Sequence, residues 1–452
     1  MIRHVFRHQG SFTFEAGGTI DNLEVVYHTS PREYSPGEKV IWLCHALTAS
    51  SDAEGEWWPA LVGPGKVIDT DKYFVICANV LGSACGSSGP ASINPSTGKP
   101  YFFDFPRVTV HDTVRAFDLL RNHLGIKTID MIVATSMGGF MTFDWLAWKP
   151  ELFDKVFFIA TGARVTPWLT GFNAAMKMAL YADPSFKERR SLKGGMDGLK
   201  AARTIALLTY RCEEGLFKQV EDSPDVMFAD KAASYYRHQS SKFVKEWDAY
   251  SYLYVCDEVD SNNVGRGRGG VEKVLREIRA DCTFVCMSSD ELFPPEDMRP
   301  WAEMVPGAKY FQIDTPFGHD GFLIETDAIA RASEPFRRFL SEHTAMRERA
   351  FFVNTAENLW GRDDEPAIVD PESFFILLPA FCVSELTKAF QIGFLVYLPF
   401  IAIDIIVSNI LLAMGMMMVS PVTISLPFKL LLFVMVDGWT LLIQGLVRGY
   451  LL

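Results

Sequence analysis

The chain has 452 residues, room for roughly two or three domains, and a formal net charge of −12. That charge argues against a nucleic-acid binder, because phosphate contacts need clustered Lys and Arg. Hydrophobic residues make up 49% and aromatics 13%, which excludes a disordered chain.

The N-terminal segment MIRHVFRHQGSFTFEAGG lacks an apolar core of signal-peptide length, so no cleaved export signal is expected. Short apolar runs follow. KVIWLCHA (Lys39 to Ala46), YFVICANV (Tyr73 to Val80), IDMIVATS (Ile129 to Ser136) and KVFFIATG (Lys155 to Gly162) read as buried strands. CTFVCMSS (Cys282 to Ser289) and AKYFQIDT (Ala308 to Thr315) extend the series, and TVHDTVRAFDLLRNHLG (Thr109 to Gly125) carries a helical pattern. Apolar strands alternating with helices imply a parallel sheet covered on both faces. From about Ala163 to Tyr254 the alternation breaks into helical patterning alone, which predicts a helical cap inserted over residues 163–262. NNVGRGRGG (Asn262 to Gly270) links this insertion to the core. It does not follow a strand, so it is not a dinucleotide-binding loop. The eight cysteines, Cys44, Cys77, Cys85, Cys212, Cys256, Cys282, Cys286 and Cys382, show no repeating framework and read as buried free thiols in a reducing compartment. Cys282 and Cys286 have no second Cys or His pair, so no metal site is expected.

The sharpest signal is VATSMGGFM, Val133 to Met141. A strand ends, a serine follows, and Gly138 and Gly139 open the next helix: the nucleophile elbow G-x-S-x-G, with Ala134 in place of the first glycine. The alternative is a plain strand-to-helix turn with Ser136 as N-cap. An activated serine needs a base, and the base an orienting carboxylate. SSDELFPP places Asp290 beyond one strand, and DTPFGHDGF places His319 beyond the next. Ser, Asp, His, each after a strand, is the α/β-hydrolase order. Asp320 is a rival acid, but it adjoins the histidine and their side chains diverge. His45 is a rival base at the end of the first apolar strand, where oxyanion donors belong.

CHALTASSD (Cys44 to Asp52), the segment from Trp57 to Tyr101, DFPRVTVHDTVRA, LTYRCEE (Leu208 to Glu214), DAYSYLY (Asp248 to Tyr254) and GHDGFLIE (Gly318 to Glu325) resemble the homoserine O-acyltransferase family over about residues 10–330. The resemblance implies Ser136 as nucleophile, His319 as base, Asp290 as its partner, and the backbone N–H groups of Leu47 and Met137 as the oxyanion hole. It also implies Tyr210 and Arg211 as holders of the amino-acid substrate, and Asp320 as the group that takes its ammonium. An arginine suits a carboxylate because its fork binds bidentately; for Arg211 the alternative is an ion pair on the cap. The implied reaction moves an acetyl group from acetyl-CoA to the hydroxyl of L-homoserine through an acyl-serine, a step of methionine biosynthesis, with no bound cofactor. The segment GFNAAMKMAL departs from the family at Met176 and Lys177, where a Gln-Arg pair is usual. Succinyl-CoA as donor, serine as acceptor, and plain hydrolysis by the same triad therefore stay open.

Near Glu334 the character changes. Beyond a polar stretch (331–372), the apolar runs Ile392 to Val419 and Leu426 to Val447 each have the length of a bilayer span, with SPVTIS turning between them. Asp404, Lys429 and Asp437 inside them are expected to face protein or each other. LPAFCVSELTKAFQIGF and DIIVSNILLAMGMMMVSP resemble the C-terminal half of export-apparatus protein R of type III secretion systems, which is also related to a flagellar export protein. In that family the methionines matching Met414, Met416, Met417 and Met418 narrow a channel, a use that suits soft thioethers. The expectation is an α/β-hydrolase-fold acyltransferase over 1–330, a linker over 331–372 and a transmembrane helical hairpin over 373–452. The enzyme is expected to be cytoplasmic and tethered to the inner membrane. Its expected partners are acyl-CoA and L-homoserine, with a homodimer or export-apparatus subunits as further options. The alternative is a membrane component of a type III export apparatus with a vestigial enzyme.

Overall fold

The buried apolar runs become the strands of one eight-stranded sheet. In the computed structural model, which describes residues 1–188, 191–332, 346–360, 374–414 and 420–435, these are β1 (Ile2–Arg7), β2 (Glu24–Thr29), β3 (Val40–Cys44), β4 (Phe74–Ala78), β5 (Ile129–Thr135), β6 (Phe153–Ile159), β7 (Asp281–Met287) and β8 (Lys309–Ile313). Their order is β1-β2-β4-β3-β5-β6-β7-β8. From β4 onward every pairing in the sheet is parallel. β1 and β2 pair antiparallel with each other, and β2 pairs antiparallel with β4. This antiparallel edge is an addition to the six strands expected from sequence. IRHVFR carries three basic residues and no clean apolar run, so its pairing rather than its pattern makes it a strand.

All five residues of β3 and of β4 are buried, as a strand covered on both faces requires. Helix α1 (Val110–His123) starts with a capping box in which the Thr109 hydroxyl accepts from Asp112 N–H and the Asp112 carboxylate accepts from Thr109 N–H. Helix α2 (Met137–Trp148) is apolar nearly all round and buried to match. Its Phe143 stacks on Phe158 of β6, and its Trp145 meets Trp42 of β3 edge-on.

Between β6 and β7 the chain leaves the sheet for six helices: α3 (Pro167–Ala182), α4 (Pro184–Lys187), α5 (Met196–Tyr210), α6 (Glu213–Val220), α7 (Lys231–Phe243) and α8 (Ala249–Asp260). An isolated Arg164–Asn263 bridge ties the segment entering this insertion to the one leaving it.

Glu258 of α8 is fully buried, and neither carboxyl oxygen has a hydrogen-bond partner. Burial pushes its carboxyl well above the usual carboxylate range; Thr113 opposes this and Asp112 adds to it. The folded state therefore keeps a proton that the unfolded chain releases above its ordinary value of 4.5. Protons bound in N exceed those in U, so stability falls as pH rises from there. Glu258→Gln removes this titration. It is expected to stabilise the protein by about 1–3 kcal/mol near pH 8 and by less near pH 5. Urea unfolding followed by tryptophan fluorescence measures this, and equal midpoints for variant and parent at both pH values reject it.

The chain divides into two units, Met1–Ala332 and Ser333–Leu452. In the second, the described residues form three helices, α9 (Met346–Trp360), α10 (Phe374–Ala413) and α11 (Pro421–Met435). Two expectations change here. SPVTIS is not a turn: Pro421 opens α11, as proline favours at a first helical position. Among the described residues no helix is long and apolar enough to cross a membrane, so the expected hairpin of two spans is not seen as such. Its second run passes beyond Met435, and Asp437 and the methionines Met416 to Met418 lie outside the described residues. Asp404 and Lys429 face each other: Lys429 Nζ lies 2.6 Å from Asp404 Oδ2, and the Ser425 hydroxyl donates to the same carboxylate.

Candidate active site

Strand β5 feeds Ser136 into a backbone conformation with φ +50°, ψ −122°, a left-handed region that costs a non-glycine residue about 1–3 kcal/mol. Two glycines make the turn fit. A Cβ on Gly138 would stand 2.1 Å from the Cys44 carbonyl oxygen, and one on Gly139 would stand 2.2 Å from Thr161 Oγ1. The ladder continues through the turn, with Ser136 N–H donating to Ile159 O at 3.0 Å and Thr161 Oγ1–H to Ser136 O at 2.6 Å. Ala134 is fully buried in the strand, so the small residue there is one methyl larger than the motif's glycine without disturbing the register.

Ser136 Oγ lies 2.8 Å from His319 Nε2, and His319 Nδ1 lies 2.7 Å from Asp290 Oδ2. Asp290 Oδ1 accepts the backbone N–H groups of Leu292 and Phe293 at 2.8 and 3.0 Å. The carboxylate is thus held on one oxygen by backbone and offers the other to the imidazole. All three side chains are buried: Ser136 is 8% exposed, His319 3% and Asp290 2%. The His319 ring sits among Tyr210, Phe293 and Phe322. The loop carrying it rests against the cap segment after α5, where Cys212 Sγ donates to Pro316 O at 2.8 Å. Gly318, at φ +63°, allows this approach, since a Cβ there would lie 2.8 Å from Cys212 N.

The serine and histidine open onto a cavity of ≈ 210 Å³. Leu47, Met137 and Tyr210 line it, and so does Asp320. Arg211 does not line it. Its Nε is 3.1 Å from Asp320 Oδ2, the ion-pair alternative raised by the sequence, with the acid supplied by the histidine loop. Burial pushes the Asp320 carboxyl up, against the pull of Arg211 and His319. The cationic residue lining the cavity is Arg203, which the sequence reading missed. Its guanidinium lies over the rings of Phe243 and Tyr210, and Nη1 is 3.4 Å from Thr48 Oγ1. A signal existed: Arg203 and Tyr210 are seven residues apart on α5, two turns and so the same face, whereas Arg211 is the C-cap with extended backbone. Burial pushes the Tyr210 hydroxyl up to about 12. Of the departures at 176 and 177, Met176 reaches the cavity, while Lys177 turns to Asp257 and Asp260. His45, the rival base, does not reach Ser136; its Nδ1 contacts Ala46 O at 2.8 Å.

A buried serine on a strained elbow, bonded to a histidine at the carboxyl end of a mostly parallel sheet, defines a class, and residues 39–326 match the family profile of the alpha/beta hydrolase fold. Within that class the chain belongs to the homoserine O-acetyltransferase family and is an acyltransferase by kinship. It is 37% identical over 348 residues to the homoserine O-acetyltransferase of Moorella thermoacetica, a match that spans 72% of this chain and 93% of that protein. The crystal structure of homoserine O-acetyltransferase from Staphylococcus aureus is similar at 28% identity and a TM-score of 0.61, covering 73% of this chain and 93% of that one. A crystal structure of an esterase E22 mutant is similar at 25% identity and a TM-score of 0.66, covering 73% and 98%. Residues 309–446 match the profile of the FliP family, overlapping the end of the hydrolase profile.

Proposed function

We propose that the first unit transfers an acetyl group from acetyl-CoA to the hydroxyl of L-homoserine, with Ser136, His319 and Asp290 as its catalytic triad. The observation that carries this reading is the hydrogen-bonded chain Asp290–His319–Ser136 opening onto a pocket under the cap helices that one guanidinium lines. Ser136 Oγ attacks the thioester carbonyl while His319 Nε2 takes its proton. The backbone N–H groups of Leu47 and Met137 hold the oxyanion of the tetrahedral intermediate. Collapse breaks the C–S bond, and His319 returns the proton to the departing CoA sulfur, leaving acetyl-Ser136. The homoserine hydroxyl then attacks this ester, gives its proton to His319, and Ser136 leaves with that proton.

The cap helices form the roof that separates this chemistry from water. Arg203 grips the substrate carboxylate, Tyr210 packs beside it, and Asp320 faces the ammonium group while Arg211 keeps that carboxylate oriented. The esterase likeness marks the competing outcome, since the same triad with an open pocket hydrolyses. An uncharged acetyl group suits this cavity better than succinyl, because Arg203 is the one Lys or Arg lining it among the described residues, and homoserine's own carboxylate occupies that cation.

For the second unit the proposal is membrane tethering. Its support is the FliP match, the apolar character of α10 and α11, and the pairing of Asp404 with Lys429, which neutralises two charges costly in lipid.

One experiment tests both. The full chain is expressed, membranes are separated from soluble extract, and CoA thiol release from acetyl-CoA is followed in each fraction with L-homoserine, L-serine or water as acceptor. Homoserine-dependent release in the membrane fraction is expected. Release with water alone makes the protein a hydrolase. Soluble homoserine-dependent activity leaves the enzyme reading intact and removes the tether.

A further inference from the structure

Residues Ala46, Leu47 and Thr48 form the wall of the cavity next to Ser136, directly after β3. The Leu47 N–H donates to no protein acceptor among the described residues. The peptide that carries it is held from the other side. Ala46 O receives the Ala49 N–H at 3.1 Å and contacts His45 Nδ1 at 2.8 Å. A carbonyl only accepts, so Nδ1 bears the proton and the imidazole is the Nδ1–H tautomer.

Geometry then fixes the direction of the donor. A planar trans peptide points its C=O and its N–H opposite ways, and no peptide bond in the described chain is cis. Two donors pulling on Ala46 O therefore aim the Leu47 N–H away from His45. Nearby, Gly138 presses α2 against the Cys44 carbonyl, so the peptide bearing Met137 N–H is braced on the same strand end.

Packing alone does not explain why position 45 is a histidine. The side chain is 1% exposed, and its second nitrogen, Nε2, is buried without a partner. A leucine would fill the space without that orphan. Burial also drives the imidazole pKa down to about 4, so the ring stays neutral and keeps its single N–H on Nδ1.

We propose that His45 is a positioning residue for acyl transfer: its Nδ1–H pins the Ala46–Leu47 peptide so that the Leu47 N–H meets the oxyanion formed on the Ser136 ester. This rests on the proposed function, in which Leu47 and Met137 are the oxyanion donors.

The test uses the full chain and three variants. His45→Asn keeps an N–H at the δ position, His45→Gln moves it to the ε position, and His45→Leu removes it. The readout is the pre-steady-state burst of thiol from acetyl-CoA, with KM for acetyl-CoA and thermal midpoint recorded beside it. His45→Leu and His45→Gln are expected to slow the burst about 10–100-fold, part of what loss of one oxyanion donor costs. KM and the pH dependence of the burst should stay as in the parent, because His319 remains the base. His45→Asn is expected to recover most of the rate. Equal impairment of Asn and Gln, or a Leu burst within twofold of the parent, overturns the proposal. Should the Leu variant fail to fold, the Asn and Gln pair decides. A parent without any burst overturns the acyl-serine reading itself, whatever the variants do, so the two failures are distinguishable.

Discussion

Ser136→Ala is expected to abolish acetyl transfer, lowering turnover by about 10⁴–10⁶ while leaving the fold and its thermal midpoint near the parent's. The reason is local. Ser136 Oγ is the atom 2.8 Å from His319 Nε2, while the neighbouring Thr135 hydroxyl turns to the Cys44 carbonyl. The strained conformation at φ +50° belongs to the backbone, enforced by the Gly138 and Gly139 contacts and by the hydrogen bond from Ser136 N–H to Ile159 O. Alanine meets the same strain and loses only the oxygen. Intact mass after mixing with acetyl-CoA checks the point directly: the parent carries an acetyl adduct and the variant does not. Turnover retained within tenfold of the parent removes Ser136 from the role of nucleophile.

Arg203→Leu carries the second large effect. Arg203 is half-buried in the free protein and would be covered by the substrate; a desolvated charge pair is worth about 2–5 kcal/mol when one partner is truncated, so kcat/KM for homoserine should fall by about 30-fold to several thousandfold. Thiol release with water as acceptor should change little, because the contacts of Arg203 among the described residues go to Thr48, Tyr210 and Phe243 rather than to the triad. The ratio of transfer to hydrolysis is therefore the diagnostic quantity. Arg211→Leu is the companion measurement. Arg211 meets Asp320 rather than the cavity, so its loss leaves the substrate carboxylate gripped and instead lets the half-buried Asp320 carboxyl rise further. A higher Asp320 pKa means its anion is lost sooner as pH falls, so the Arg211 defect should deepen toward acid and fade toward alkaline pH. An Arg203 variant with an unchanged ratio, beside an Arg211 variant with a collapsed one, returns the grip to Arg211.

Much of the site was legible in the sequence. Six strands of the sheet announced themselves through their apolar runs, most plainly VIWLC and FVICA, which are buried on both faces and have no charged side chain to show. The elbow was legible because two backbones touching around a serine demand small residues at fixed offsets, and TSMGG supplies them. Asp290 and His319 were legible because each follows an apolar strand, and in a parallel sheet every such loop emerges at the same edge.

Other features had no linear signature. β1 pairs through backbone atoms, and pairing leaves no residue pattern when one face of an edge strand is exposed. The division of labour between Arg203 and Arg211 depends on where α5 stops: the seven-residue spacing of Arg203 and Tyr210 puts them on one face only once the helix is known to run through both and to end before Arg211. Residue composition determined that the first unit would be a two-sided parallel sheet with a serine at its carboxyl edge, since burial and close approach dictate residue types position by position. Only the tertiary structure decided which arginine lines the cavity beside Ser136, which one instead pairs with Asp320 at its wall, and that His45 turns from Ser136 to the peptide beside it. Those outcomes rest on side-chain direction across elements far apart in sequence, a quantity that no local pattern encodes.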